Sequence, residues 1–437
     1  MTIPPASGRL ERSLVSTLPA KVGTVARVCG WAELDGQPGG ARALVLRDHS
    51  GRVRLDDPPG RPDGPVAAVL TGLVAESALE VVGEVTAGGA EVAVEDLRLV
   101  GPALAEVPIT GESPLEQRLD WRFLDLRRDR VRLVFEIQTT LERAMRELWH
   151  REGFIELHSP KIRPTPNKSG SELFTIEYFG GRAYLAQSPQ FYKQMSMAAG
   201  FDRIFEIGPV FRANPLVTSR HDTEFTSVDV EISWIESHHD VMTFEERLLA
   251  HAITRVVEQH GDDITRTFGT EVRIPALPFP RVAMDEAYDI LNTLGWANAR
   301  PGDIDPEGER LLADHIARER GHEFVFVTDY GAPIRPFYHM RSVPGATTTR
   351  SFDLLWKGLE VTTGAQREHR YGVLSDQASE RGIALSGIQS YLDFFKFGCP
   401  PHGGFGLGLT RVLMCLLGHS DVREVTYLHR GPNRLTP

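Results

Sequence analysis

The chain has 437 residues, of which 41% are hydrophobic and 24% are charged. This balance is ordinary for a globular protein of two or three domains with a large buried core, and it excludes a disordered chain. The net charge of −11 excludes an overall attraction for nucleic acid, so a nucleic-acid partner would need a local basic patch such as residues 122–133.

The sequence carries no sign of disulfides, a zinc site or membrane insertion. Cys29, Cys399 and Cys415 lie far apart and form no CxxC pair. No apolar run approaches the roughly 18 residues that a membrane span needs, and the N-terminus lacks the apolar core of a signal peptide. We therefore expect a cytoplasmic protein with no membrane partner.

The first part of the chain, residues 1–103, contains short stretches in which apolar and polar residues alternate. The stretches are separated by turns rich in Gly, Pro and Asp, and they cover residues 24–31, 41–48, 78–85 and 90–100. Short strands at this spacing are typical of a small β-barrel. We expect one such domain here, followed by a polar hinge over residues 104–128.

A long helix is predicted at the start of the remaining region, residues 129–437. Within the stretch 131–154, apolar residues recur at spacings of three and four, at Val134, Ile137, Leu141, Met145 and Leu148. Beyond this helix, candidate strands at 182–187, 203–211 and 351–361 mix with further candidate helices. The region is therefore predicted to be one large α+β domain.

Residues 224–234 are predicted to form a strand whose two faces differ. One row consists of Val228, Val230, Ile232 and Trp234, and the other consists of Phe225, Ser227, Asp229, Glu231 and Ser233. The alternation predicts that the apolar row is buried and the other row is presented. An edge strand with a solvated face would explain this pattern by itself. The cations just upstream, Arg212, Arg220 and His221, favour instead a ligand with separate phosphate and ammonium ends.

Three alternate glycines precede a second predicted helix near the C-terminus. The glycines are Gly404, Gly406 and Gly408, and the apolar stripe of the helix is Leu409, Val412, Leu413, Leu416 and Leu417. Glycines at a helix entry allow close backbone approach, and Arg411 in the first turn adds a charge beside the positive helix end. Tight packing would explain the glycines equally well. In company with the upstream cations, the stretch predicts a nucleotide site.

These stretches resemble the class II aminoacyl-tRNA synthetases, most closely the aspartyl-tRNA synthetases of the archaeal or non-discriminating type. The resemblance runs over nearly the whole chain, through residues 184–212, 211–231, 352–371, 400–418 and 432–437. It implies an N-terminal five-stranded OB-fold barrel of the anticodon-binding kind and a class II catalytic domain, which is an antiparallel sheet flanked by helices. It also implies ATP and L-aspartate as substrates, Mg²⁺ as cofactor, tRNA as partner, and a homodimer.

The resemblance assigns residues to an ATP site. It implies that Arg212 holds the α-phosphate and the reacting carboxylate, that Arg220 and His221 meet the distal phosphates, and that Phe225 stacks on adenine. Arg212 and Arg411 are the expected catalytic residues, because reaction at the α-phosphorus needs charge neutralisation rather than a general base. The other expected ATP contacts are Asn214, Glu360 and Gly408. Magnesium is expected to be bound by Glu360 and Thr363.

The resemblance also implies an amino-acid pocket that is selective for L-aspartate. Lys193 and Arg367 match the positions that bind the side-chain carboxylate of the substrate. Asparagine would leave this site with an uncompensated buried charge, at a cost on the order of 3–5 kcal/mol. The remaining expected substrate contacts are Ser188, Gln190, Arg212, Asp229, Thr363 and Lys168.

Three positions in the catalytic region depart from the family pattern. Lys168 stands where relatives place a glutamate that closes over the substrate ammonium, and a cation there is repulsive. Either Glu172 or Asp229 then takes that role, or the substrate lacks an ammonium at that place. Asn214 and Thr410 each replace an acid, so all three departures make the site more positive.

The predicted barrel departs from the family as well. Ala43 replaces an aromatic residue, and base stacking on an aromatic side chain is worth roughly 1–3 kcal/mol per base. Residues 56–65 are rich in Pro and Gly where relatives carry a helix. We therefore expect weakened anticodon contacts.

Together these features predict ATP-dependent activation of L-aspartate as aspartyl-adenylate and its transfer to tRNA, with tRNA-Asn left open as a second acceptor. One alternative is a paralogue that passes aspartate, or a related dicarboxylate, to a non-tRNA acceptor. The departures at Lys168, Asn214 and Ala43 and the acidic net charge favour that alternative. A non-catalytic regulatory or binding protein is a second alternative, which is weakened because Arg212, Glu360, Arg367 and Arg411 are all present.

Overall fold

A computed structural model describes residues 10–36, 43–61, 63–164, 173–215, 218–297, 302–343 and 345–437. The chain divides into two compact units, Met1–Asp129 and Arg130–Pro437. Among the described residues, no helix combines the length and the apolar character that crossing a membrane requires. The three cysteines are free thiols.

The first unit is built on a closed β-barrel. Its elements are β1 (Arg12–Ser13), β2 (Val25–Asp35), β3 (Ala43–Asp48), β4 (Gly51–Asp56), α1 (Pro65–Leu70), β5 (Ala78–Thr86) and β6 (Glu91–Gly101). The strands pair in the order β1-β2-β3-β4-β6-β5, and β2 also pairs with β5, which closes a ring of five strands. The predicted small barrel is confirmed. Strand β4 was not predicted, because only Val53 and Leu55 carry its alternation.

The segment predicted as a polar hinge contains two short helices, α2 (Leu115–Asp120) and α3 (Arg122–Asp125). Arg122 is buried, and its Nη1 donates to Asp125 at 2.8 Å. Arg127 pairs with Glu76 at 2.9 Å. The basic patch predicted at residues 122–133 is therefore partly neutralised by contacts within this unit.

The second unit contains an eight-stranded sheet with helices packed against it. Its strands are β7 (Ile155–Glu156), β8 (Ile162–Arg163), β9 (Thr175–Tyr178), β10 (Gly181–Leu185), β11 (Arg203–Phe211), β12 (Glu224–Ser233), β13 (Arg281–Ala283), β14 (Phe324–Thr328), β15 (Ser351–Trp356), β16 (Leu359–Arg367) and β17 (His402–Gly408). The large sheet has the order β13-β14-β15-β16-β17-β12-β11-β7, and β8, β10 and β9 form a smaller sheet. Pairing in the large sheet is antiparallel from β14 to β11 and parallel at both ends.

The helices of this region follow the apolar periodicity of the sequence. They are α4 (Asp129–Arg151), α5 (Gln190–Ala198), α6 (His238–Phe268), α7 (Met284–Thr293), α8 (Pro306–Arg320), α9 (Tyr371–Glu380), α10 (Gln389–Leu392), α11 (Leu409–Leu417) and α12 (Val422–Val425). All five apolar positions predicted in the first long helix are buried in α4. The predicted helix after the glycines is α11, and its whole predicted stripe is buried. The α+β prediction is confirmed.

Strand β12 differs from its prediction on both faces. Trp234 lies beyond the strand with φ +61°, and its side chain is exposed rather than buried. Asp229 and Glu231, predicted to be presented, are buried. These two carboxylates are shielded because α5 packs over this part of the sheet and places Lys193 against both of them.

Candidate active site

A cavity of about 410 Å³ opens over the polar face of the large sheet. Most of the residues predicted for the site line it, although they come from separate parts of the chain. The predicted residues in its wall are Ser188, Gln190, Arg212, Asn214, Arg220, His221, Phe225, Asp229, Glu360, Thr363, Arg367, Gly408 and Arg411, together with the departing residue Thr410. Lys168 and Glu172 lie outside the described residues.

The register of the sheet explains how distant residues meet at the cavity. Asp229 pairs with Gly406, Gly406 pairs with Thr363, and Thr363 pairs with Asp353, so the four form a line across β12, β17, β16 and β15. Paired residues of antiparallel strands direct their side chains to the same face. Because Gly406 has no side chain, the face between Asp229 and Thr363 stays open to a ligand.

A register shift brings Glu360 to the same face. Between Leu354 and Leu355, the pairing of β15 with β16 skips one residue, which reverses the alternation along β16. Thr363 Oγ1 donates to Glu360 Oε1 at 3.0 Å as a result. The sequence spacing of three would otherwise put the two side chains on opposite faces.

Four charged side chains form a buried network at one end of the cavity. Lys193 Nζ lies 3.0 Å from Asp229 Oδ1 and 3.3 Å from Glu231 Oε2. Arg367 Nε donates to Glu231 Oε1 at 3.0 Å, and its Nη2 donates to the Gly404 carbonyl at 2.8 Å. The two cations therefore already face two carboxylates.

This network leaves the two cations expected to select aspartate already paired with carboxylates. Lys193 is buried behind the cavity and does not line it, whereas Arg367 does. Arg367 Nη1 also contacts His339 Nε2 at 3.1 Å. Its Nη2 also lies 3.5 Å from Glu231 Oε2, so among the described residues four of its five N–H groups are used and one is left for a ligand. A substrate carboxylate would thus join a balanced network rather than neutralise two unpaired cations.

The other end of the cavity is cationic. Arg220 and His221 lie on the loop between β11 and β12, and Arg212 immediately follows β11. The Arg212 guanidinium lies 5.1 Å from the centre of the Phe225 ring. Arg411 Nη1 donates to the Glu360 carbonyl at 2.8 Å, and its Nη2 lies 3.4 Å from His221 Nε2.

The N-terminus of α11 adds backbone donors to this end. The helix begins at Leu409, and the preceding Gly408 supplies no side-chain cap. The first N–H groups of a helix have no partner within the helix, and they attract anions. Arg411 projects from the same turn, so this end of the cavity suits phosphate groups.

Oxygen donors for a divalent cation lie between the two ends. Glu360 and Thr363 both line the cavity and fit the preference of Mg²⁺ for oxygen ligands. Asp353 lies in register with Thr363 and is buried, with the Tyr330 hydroxyl beside its carboxylate. Its Oδ2 accepts from Arg335 Nη2 at 2.5 Å. No group of three His, Cys, Asp or Glu side chains placed to hold a metal alone is found in the described part of the chain.

Asp222, Asp353 and Glu309 are acids at or near this site that the sequence prediction missed. Asp353 could have been noticed as the one carboxylate within the apolar strand β15. Glu309 has no local signal, because it lies on the polar helix α8 and reaches Arg220, with Nη1–Oε2 at 3.3 Å. Burial and the nearby Glu360 raise the pKa of Glu309 to about 7, against the opposing effect of Arg220 and Arg411.

Comparisons with known proteins agree on one family. The family description "tRNA synthetases class II (D, K and N)" matches residues 114–430. The chain is 39% identical to an aspartate–tRNA(Asp/Asn) ligase of Aeropyrum pernix, over 98% of this chain and 99% of that protein. It is also 39% identical to an aspartate–tRNA(Asp) ligase of Pyrococcus horikoshii, over 94% of this chain and 96% of the relative.

A solved structure has a similar fold. Asparaginyl-tRNA synthetase from Pyrococcus horikoshii, complexed with asparaginyl-adenylate, superposes with a TM-score of 0.86 at 30% identity. The match covers 96% of this chain and 98% of that one. The named relatives therefore divide between aspartate and asparagine as amino acid, and between one and two tRNA species.

Proposed function

The chain belongs to the class II tRNA synthetases of the D, K and N group, and on that premise we propose that it is an aspartate–tRNA ligase. It activates L-aspartate with ATP as aspartyl-adenylate and transfers the aspartyl group to tRNA. The observation that carries this proposal is the single cavity that joins a cationic phosphate end to the Lys193, Arg367, Asp229 and Glu231 network.

The geometry supports in-line reaction at the α-phosphorus without a general base. Arg212 lines the cavity, and its forked guanidinium would hold the α-phosphate and the reacting carboxylate together. Arg220, His221 and Arg411 meet the leaving pyrophosphate, and Phe225 stacks on adenine. The reaction is thus accelerated by the positioning of the substrates and by neutralisation of charge in the transition state.

Glu360 and Thr363 would hold Mg²⁺, with Asp353 in register as a further oxygen donor. When bound, the ion offsets phosphate charge and orients the triphosphate. The protein's own part is to keep these oxygens on one face of the sheet. Asn214 and Thr410 line the same cavity. Their amide and hydroxyl groups can hydrogen-bond to a ligand there without adding negative charge.

The amino acid lies over Asp229, with Ser188 and Gln190 in the adjoining wall. Asp229 is held by Lys193 and by Ser227, whose Oγ donates at 2.6 Å, and it faces the substrate ammonium. Arg367 receives the side-chain carboxylate. The second cation, Lys193, stabilises that added negative charge from behind and favours aspartate over asparagine.

The tRNA partner follows from the relatives, which are named for tRNA charging, and this favours tRNA over a non-tRNA acceptor. We further propose a cytoplasmic homodimer whose anticodon contacts are weakened at Ala43, which begins β3 without an aromatic side chain. Charging of tRNA-Asn in addition to tRNA-Asp belongs to the same proposal.

Amino-acid-dependent pyrophosphate exchange tests the activation step. Aspartate, asparagine, succinate and N-acetylaspartate are compared, each with and without tRNA. We expect exchange with aspartate alone, followed by aspartylation of purified tRNA-Asp. Exchange with asparagine in preference to aspartate would contradict the proposed amino-acid substrate. Exchange without tRNA charging would contradict the proposed acceptor.

A further inference from the structure

The C-terminal segment, residues 422–430, is bonded to the loop that carries two cations of the phosphate end. The backbone N–H of Val422 donates to the Ser219 carbonyl at 2.8 Å. The backbone N–H of Thr223 donates to the Arg430 carbonyl at 2.9 Å. The two bonds flank Arg220 and His221, so the segment holds the loop on both sides of them.

A buried side-chain contact lies between these backbone bonds. His429 Nδ1 donates to Asp222 Oδ1, and Thr426 Oγ1 lies 3.2 Å from Asp222 Oδ2. Asp222 is 4% exposed and His429 is 7% exposed. Both oxygens of the carboxylate therefore have partners on the C-terminal segment.

The position of Asp222 gives this contact a consequence for ligand binding. Asp222 lines the cavity next to His221. A carboxylate at this place would repel a bound phosphate group. Bonds to His429 and Thr426 engage that carboxylate and keep it from pairing with the cations beside it. They also remove freedom from a loop that would otherwise have to be ordered when the ligand binds.

We infer that Asp222 and His429 are positioning residues, which set Arg220 and His221 for the distal phosphates of a nucleoside triphosphate. The inference rests on the proposed function for the identity of the nucleotide. The pair acts through the two cations and does not touch the reacting atoms. Its loss should therefore weaken the binding of ATP, which has distal phosphates, and spare AMP, which has none.

Calorimetric binding of ATP and AMP to the full chain tests the inference. We expect His429→Ala to raise the Kd for ATP by about tenfold, since it removes a buried hydrogen bond and leaves Asp222 Oδ1 unsatisfied. Asp222→Ala should raise it by less, because that change also removes the negative charge that opposes the phosphates. The Kd for AMP should stay within about twofold, a change of roughly 0.4 kcal/mol. His429→Asn, which keeps an N–H donor near Nδ1, should recover most of the loss.

A matched control is His260→Ala. His260 is also 7% exposed and contacts a hydroxyl, that of Thr140 at 2.9 Å, but it lies on α6 away from the cavity. The double variant Asp222→Ala/His429→Ala should bind ATP no more weakly than the poorer single variant, because the two changes break one shared contact.

Equal weakening of ATP and AMP, or variants that match His260→Ala, would overturn the positioning role. Failure of His429→Asn to recover ATP binding would also count against it. The proposed function fails separately, when wild-type protein binds ATP yet shows no exchange with aspartate. Wild-type protein that binds ATP no better than AMP would overturn the inference outright.

Discussion

Glu231 and Arg367 form an ion pair that is almost fully shielded from solvent, with side chains 0% and 2% exposed and Nε–Oε1 at 3.0 Å. The pair joins β12 to β16 across the intervening strand β17, directly over Gly404. Burial acts to raise the pKa of Glu231, but Arg367 and then Lys193 hold it below its ordinary value. The acid is therefore ionised and fixes the guanidinium that faces the cavity.

Replacing Glu231 by Gln should destabilise the fold and weaken aspartate binding. The change leaves Lys193 and Arg367 with one carboxylate, and breaking a buried ion pair costs on the order of 3–5 kcal/mol. Chemical denaturation measures the loss. The control is Glu156→Gln, whose partner Arg146 is 34% exposed, and which should cost under about 1 kcal/mol. Equal losses for the two variants would contradict the prediction.

Gly404 should not tolerate a side chain. A Cβ there would collide with the Val230 carbonyl oxygen and with the Glu231 carboxylate. We expect Gly404→Ala to lower the unfolding free energy by roughly 1–3 kcal/mol and to raise the KM for aspartate. Gly372→Ala is the control, because a Cβ at Gly372 meets open space within α9. A fully stable Gly404→Ala variant with normal KM would show that the pair is not held over this glycine.

Glu309 should make ATP binding depend on pH. Its pKa of about 7 means that it ionises between pH 6 and 8, where it then competes with phosphate for Arg220. The KM for ATP should rise with pH, by up to about tenfold between pH 6 and 8. Glu309→Gln should lose this part of the dependence and keep the part due to ATP's own titration. Identical pH profiles for the two proteins would rule the effect out.

Glu245 should make the fold less stable at alkaline pH. Burial raises its pKa to about 8 from an ordinary value of 4.5, against a lowering by Thr362. The unfolded chain releases this proton at lower pH than the folded one, so the unfolding free energy falls between about pH 4.5 and 8. Glu245→Gln should flatten that slope in denaturation at pH 5, 7 and 8.5. Glu258→Gln, an exposed change on the same helix α6, should leave the slope unchanged.

Lys168 is expected to oppose the ammonium group of aspartate, so Lys168→Glu should lower the KM for aspartate in pyrophosphate exchange. The gain should vanish for N-acetylaspartate measured as a competitive inhibitor of exchange, because it lacks that charge. Lys168→Gln separates the loss of repulsion from the gain of attraction. An unchanged or higher KM for aspartate in the glutamate variant would mean that the lysine serves a different substrate.

Local patterns determined the elements of this protein. The spacing of Val134, Ile137 and Leu141 predicted α4, and the glycines before Leu409 predicted the passage from β17 into α11. Such patterns are readable because the periods of helix and strand decide which side chains share a face. The cations Arg212, Arg220 and His221 beside a row of acids indicated a ligand with phosphate and ammonium ends. The resemblance to the class II synthetases added the side-chain carboxylate of the substrate.

Tertiary structure alone decided which charges meet. Lys193 neutralises Asp229 and Glu231 because α5 covers β12, and Glu309 reaches Arg220 from a helix far along the chain. Asp222 is hydrogen-bonded to His429, which lies 207 positions further along the chain. Contacts of this kind depend on strand register and on layer packing, which no short stretch of sequence encodes. The alternation of apolar and polar residues along β12 therefore could not predict that its acids are buried as well. The sequence thus determined which types of residue form the site, whereas only the folded chain determined which of their charges pair with one another.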